Sequence, residues 1–129
     1  MYIYSLIFIS SDLGLIAPNQ GLYLTNNLEQ KYPPKKPISY SVVKAGVIGM
    51  GRYFSTYWPE LNIRSNVVCP GGVKNNQPQD FLNRIESLIP LGRMADVNSY
   101  NSTIVWLLSD ESVYVNGAII SVDGGRTSW

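Results

Sequence analysis

The chain has 129 residues, 45% of them apolar and 15% charged, which suits one folded domain and not a disordered tail. Ten basic residues against nine acidic ones leave a net charge of +1, so charge makes no case for nucleic acid or an anionic membrane as partner. Histidine is absent and Cys69 is the one cysteine, which excludes histidine-based hydrolysis, histidine metal sites, an internal disulfide and any multi-cysteine metal centre.

The opening run over 2–9 is apolar and rich in Ile, Tyr and Phe. It lacks the basic start of a signal peptide and is too short to span a bilayer. Its continuous apolar character predicts a strand covered on both faces, central in a parallel sheet. Residues 12–39 form a long connection punctuated by Gly14, Pro18, Gly21, Asn26, Asn27, Pro33, Pro34 and Pro37, with Lys31, Lys35 and Lys36 near its end. It reads as an inserted loop, either a lid or a solvated insertion.

Residues 40–57 predict a helix whose buried stripe would be Val43, Val47, Met50 and Phe54. Gly46, Gly49 and Gly51 each cost about 1 kcal/mol inside a helix relative to Ala, so close approach of the sheet or a second helix is expected there. A second strand spans 63–69 and ends at Pro70-Gly71-Gly72. A helix over 79–89 would present Phe81, Ile85 and Leu88. Another helix is expected over 95–109, starting near Asp96, and a third strand over 118–123, closed by Gly124-Gly125. Trp58, Trp106 and Trp129 read as packing residues, Cys69 as a small buried hydrophobe and Arg93 as a loop ion-pair partner. Strand, helix, strand, helix, strand is the order of an α/β fold with right-handed parallel crossovers.

Such sheets bind ligands beyond the carboxyl ends of their strands. Those ends carry Ser10-Ser11, Pro70-Gly71-Gly72-Val73 and Asp123-Gly124-Gly125. Tyr40 and Lys44 stand four residues apart on the predicted helix, on one face. An ammonium beside a phenol favours the phenolate and so suits it to proton transfer. Without histidine, a Tyr/Lys/Ser trio is the well-formed acid–base set that this sequence offers.

Four tracts in order, Ser10-Ser11-x-x-Gly14, Tyr40-Ser-Val-Val-Lys44-Ala-Gly46, Asn66-Val-Val-Cys-Pro70-Gly71 and Val122-Asp123-Gly124-Gly125, resemble the C-terminal half of the short-chain dehydrogenase/reductase family. The resemblance implies the later part of a doubly wound, Rossmann-like parallel sheet, with about three strands and two to three helices. It implies an oxidoreductase using NAD or NADP on a small alcohol or carbonyl compound. Tyr40 would be the acid/base, Lys44 its partner and the holder of the nicotinamide ribose, and Ser11 (or its neighbour Ser10) the residue orienting the substrate oxygen. Pro70, Gly71, Gly72 and Val73 would lie along the nicotinamide, and Asn75 stands where the family often has a cofactor-contacting Thr. The long segment 22–38, Tyr57-Trp58-Pro59 and Asn75-Asn76-Gln77-Pro78 are similar to members linked to flagellin or surface-polysaccharide modification, which brings sugar derivatives among the candidate substrates.

No glycine-rich phosphate loop follows the first strand, so the sequence reads as 1–129 of the C-terminal part of one cofactor-binding domain. A chain of this kind is expected to be inactive alone, cytoplasmic and, when complete, a homo-oligomer. The competing class is a catalytically silent interaction or oligomerisation module.

Overall fold

The computed structural model describes residues 4–24, 31–32 and 34–129. Residues 2 and 3 of the first expected strand, and part of the expected insertion, lie outside the described residues. Three parallel strands stand in the order β1 (Tyr4–Ile9), β2 (Ile63–Pro70), β3 (Ile119–Val122). The register places Tyr4 beside Ile63, Phe8 beside Val67, and Val67 beside Ile119. Helix α1 (Ile38–Tyr57) connects β1 to β2, and α2 (Gln79–Glu86) and α3 (Asn101–Leu108) lie between β2 and β3.

Side chains alternate across a strand, so the two faces can be read from their partners. On one face Phe8 stacks on Phe54 of α1 at 5.7 Å, and Ser65 Oγ donates to the Gly51 carbonyl at 2.9 Å. On the other, Ser5 Oγ and Arg64 Nη2 both donate to the Leu107 carbonyl at the end of α3, each at 2.9 Å. Helices therefore cover both faces. This accounts for the unbroken apolar run of β1, although β1 itself pairs only with β2 among the described residues. The central strand is therefore β2, buried along nearly its whole length, and not the 2–9 run, which forms the edge of the sheet among the described residues.

Ile48, Val67 and Cys69 form the core under α1, with Phe8 and Ile119 against them. A second cluster, Leu82, Ile89 and Met94, is flanked by Phe81 and Ile85.

Several expectations are corrected. The buried face of α1 is Ile48 and Gly51, flanked by half-buried Val47 and Phe54, whereas Val43 and Met50 are exposed. Of its glycines, Gly51 alone meets a neighbour, the Val67 side chain, while Gly46 and Gly49 face open space. Helix α3 starts at Asn101, not near Asp96, because Ser99 Oγ accepts from the Asp96 N–H at 3.0 Å and holds 96–100 in turns. Helix α2 is shorter than 79–89 and ends at Glu86. Trp58 does pack, stacked on Phe54 at 5.2 Å, but Trp106 and Trp129 are exposed, the latter 74%. The 12–39 connection contains short 3-10 turns at Asp12–Gly14 and Gln20–Tyr23. Arg93 pairs with Asp96 at 3.8 Å on the surface.

Candidate active site

The carboxyl ends of β1 and β2 open on a cavity of about 350 Å³. Its wall includes Ser10, Ser11, Tyr40, Pro70, Gly71, Gly72 and Val73, so these expected site residues meet in one place. Lys44 stands outside that lining. Its Nζ donates to the Ile9 carbonyl at 3.2 Å and lies 5.8 Å from the centre of the Tyr40 ring.

The two serines differ. Ser10 Oγ donates to the Lys44 carbonyl at 2.7 Å, tying the end of β1 to α1. Ser11 Oγ donates to Asp12 Oδ1 at 2.8 Å and accepts from the Leu13 N–H at 3.2 Å, capping the turn that follows β1. A serine hydroxyl has one proton to give, so Ser10 spends its proton on structure and Ser11 spends its proton on a neighbouring carboxylate.

The stretch after β2 is pinned by an isolated parallel bridge between Val73 and Ala95. Ala95 N–H donates to the Gly72 carbonyl at 3.2 Å, and Lys74 N–H to the Ala95 carbonyl at 2.9 Å. Gln77 Nε2 donates to the Val73 carbonyl at 2.8 Å. The Val73 N–H donates to no described residue. A free N–H here fits a nicotinamide carboxamide. Asn75 N–H is occupied by the Gln77 side chain at 2.6 Å.

Beyond β3, the Asp123 carboxylate accepts from the Gly125 and Thr127 N–H groups, each at 2.9 Å, and from Thr127 Oγ1 at 2.6 Å. Gly124 and Gly125 adopt φ of +67° and +89°, open to glycine at little cost. This turn carries Arg126 into the cavity wall. Across from it, Gln20 clamps the backbone of Lys36: Oε1 accepts the Lys36 N–H at 2.9 Å and Nε2 donates to its carbonyl at 3.4 Å. The Lys36 ammonium then stands 4.0 Å from the centre of the Tyr40 ring. Lys36, Arg126, Asp12, Tyr23 and Phe81 also line the cavity and were not expected as site residues from the sequence. For Arg126 and Lys36 there was a signal: a cation directly after the Asp-Gly-Gly turn, and another four residues before the tyrosine.

Burial raises the Tyr23 phenol, with the Asp12 charge adding to it. Burial likewise raises the Cys69 thiol, and hydrogen bonding to Ser10 opposes the rise. Cys69 is fully buried in β2, which makes it packing material rather than a nucleophile. Among the described residues no group of three His, Cys, Asp or Glu could hold a metal, and no helix is long and apolar enough to cross a membrane.

A parallel α/β sheet with a polar cleft at its strand ends defines a ligand-binding protein of the doubly wound class. The family model described as enoyl-(acyl carrier protein) reductase matches residues 3–127, and the chain belongs to the short-chain dehydrogenase/reductase family. It is similar to the post-translational flagellin modification protein A of Campylobacter coli, 32% identical over 94% of this chain and 45% of that protein. It is 38% identical to the 3-oxoacyl-[acyl-carrier-protein] reductase of Thermotoga maritima, over 67% of this chain and 37% of the relative. A short-chain dehydrogenase from Leptospira borgpetersenii, solved with bound NAD+, superposes with a TM-score of 0.84 at 29% identity, covering 95% of this chain and 44% of that one. The chain thus spans less than half the length of these relatives.

Proposed function

We propose that this chain carries the substrate-side catalytic half of an NAD(P)-dependent oxidoreductase that interconverts an alcohol and a carbonyl. The observation that carries the reading is the meeting of Ser11, Tyr40 and the Pro70–Val73 turn in one cavity at the strand ends. Tyr40 Oη gives or takes the proton at the substrate oxygen, and Ser11 Oγ orients that oxygen. To donate to a carbonyl, Ser11 must turn its proton away from Asp12. Lys44 holds the nicotinamide ribose and the Val73 N–H the carboxamide. NAD or NADP, when bound, supplies or accepts the hydride at the carbon bearing the oxygen.

Among the described residues no glycine-rich turn leads from a strand into a helix start, the arrangement that binds a pyrophosphate. The 129-residue chain tested by itself is therefore expected to bind either cofactor only weakly and to show no turnover. Fusion to the amino-terminal part of the Leptospira relative supplies the missing contacts. In that fusion, Tyr40→Phe should lower kcat by about 100-fold or more with cofactor affinity retained. A variant keeping more than about a tenth of the rate, a loss below about 1.4 kcal/mol, overturns the assignment.

A role in self-association is supported by a separate observation. Ile38, Val42, Val43, Met50, Tyr53 and Tyr57 of α1 are exposed, and Gly46 and Gly49 beside them leave room for a second backbone. Sedimentation of the parent chain and of a Val42→Glu/Tyr53→Glu variant tests this: an oligomer that the variant disrupts is expected, and a monomeric parent refutes it.

A further inference from the structure

The cavity wall holds two cations that the proton-transfer scheme does not use. Arg126 is only 8% exposed, and its Nε is buried without a hydrogen-bond partner. Its guanidinium donates to no described residue. Arg64 and Arg84 also have an unpartnered Nε, but their other guanidinium nitrogens are spent on backbone carbonyls: Arg64 on Val115 and Leu107, Arg84 on Leu22 and Leu24. Arg126 therefore differs in having its whole donor fork unspent beside a cavity. A buried guanidinium without an acceptor is a costly arrangement that an anion would complete.

Lys36 is the second cation. The Gln20 clamp fixes its backbone, and its ammonium stands over the Tyr40 ring at the site of proton transfer. Among the described residues the cavity wall carries one anion, Asp12, whose Oδ1 already accepts from Ser11 Oγ and the Leu13 N–H, each at 2.8 Å. Neither cation forms an ion pair with it; the pair formed among the described residues is Arg93 with Asp96. Among the described residues, two cations without an ion pair against one carboxylate leave the cavity wall with an excess of positive charge.

We propose that Arg126 and Lys36 form an anion subsite, and that the substrate is a hydroxyl- or carbonyl-bearing compound with a carboxylate. The flat guanidinium fork matches a carboxylate better than a neutral polyol, which offers no charge to either cation. This names the substrate class for the oxidoreductase reading and rests on that reading, yet it is tested apart from catalysis.

Saturation-transfer NMR on the 129-residue chain, with D-gluconate and D-sorbitol as probes, measures the preference without turnover. The two share a carbon chain and differ by the carboxylate. Gluconate should bind about ten times more tightly or better, and Arg126→Met and Lys36→Met should each bring the two probes to within about twofold. Arg126→Lys should keep part of the preference. Equal affinity in the parent chain, or a preference unchanged in the variants, overturns the subsite. Inorganic phosphate binding more tightly than gluconate overturns the carboxylate assignment. Lys36 is only half-buried, so Lys36→Met keeps the test decisive should Arg126→Met fold poorly. Gluconate preference together with full turnover by Tyr40→Phe would leave the subsite standing and remove the catalytic reading. Loss of turnover without a gluconate preference would do the reverse.

Discussion

The two ends of the central strand treat buried polar groups in opposite ways. At its amino end, β2 buries Arg64, Ser65 and Asn66 and binds each to the chain itself. Asn66 Nδ2 donates to the Val115 carbonyl and Asn66 Oδ1 accepts from the Ala118 N–H, both at 2.9 Å. The Ser65 N–H is taken by Asn116 Oδ1 at 2.9 Å, and Arg64 reaches the Val115 and Leu107 carbonyls. These bonds lock the loop before β3 against the sheet. At the carboxyl end, Ser11 and Arg126 are nearly as buried, yet their polar atoms face a cavity, and the Arg126 guanidinium is unspent. One end spends its buried polar groups on the chain itself, Arg64 Nε excepted, and is structural. The other holds back hydrogen-bonding capacity, the usual mark of a site where stability is traded for binding.

Substitutions at the two ends should separate accordingly. Asn66→Ala carries the largest expected effect, a loss of about 2–4 kcal/mol, because it orphans the Ala118 N–H, takes one of two donors from the Val115 carbonyl and leaves a cavity inside the fold. The denaturation midpoint should fall with an unchanged slope; a loss under about 0.5 kcal/mol would mean the amino end is not pinned as described. Gly51→Ala follows, at about 1–3 kcal/mol, since the new methyl would collide with Val67. Gly49→Ala in the same helix meets nothing and should stabilise by up to about 1 kcal/mol. Thermal melts of the pair should shift in opposite directions.

At the carboxyl end, Arg126→Met should leave stability unchanged or raise it by about 1 kcal/mol, since it removes an uncompensated buried charge. A loss comparable to Asn66→Ala would erase the contrast between the two ends. The smallest effect is a pH dependence. Burial holds the Tyr23 and Tyr100 phenols and the Cys69 thiol above their ordinary values. The folded chain therefore keeps protons that the unfolded chain has already released. The stability this contributes is complete below about pH 8 and is lost as pH rises through the alkaline range. Denaturation midpoints should decline from about pH 9 to 11, and less steeply in Tyr23→Phe/Tyr100→Phe.

Much of the sheet was legible in the sequence, because long apolar runs bounded by Pro and Gly leave few other readings for 63–69. The polar bonding at its amino end was not, since Asn66 and Arg64 find partners more than 40 positions away. The face of α1 was misread because the helix is apolar on more than one side, and period alone does not say which stripe meets the sheet. The start of α3 turned on one serine hydroxyl competing with the helix. Ser11, Tyr40 and the Pro70–Val73 turn could be singled out because they sit in short linear tracts. Lys36 and Arg126 were missed, because their linear signal, a cation near the tyrosine and one after the Asp-Gly-Gly turn, does not say that either faces the cavity. One depends on the Gln20 clamp across 16 positions of the connection, the other on the turn built around Asp123.

The most direct test of the central claim is the kcat of Ser11→Ala, Tyr40→Phe and the double variant in the fused enzyme. If both hydroxyls act on one substrate oxygen, each single change costs about 100-fold or more, and the double variant falls little below Tyr40→Phe alone. Losses that multiply, or a Ser11→Ala enzyme at near full rate, would contradict a shared oxygen at the end of β1.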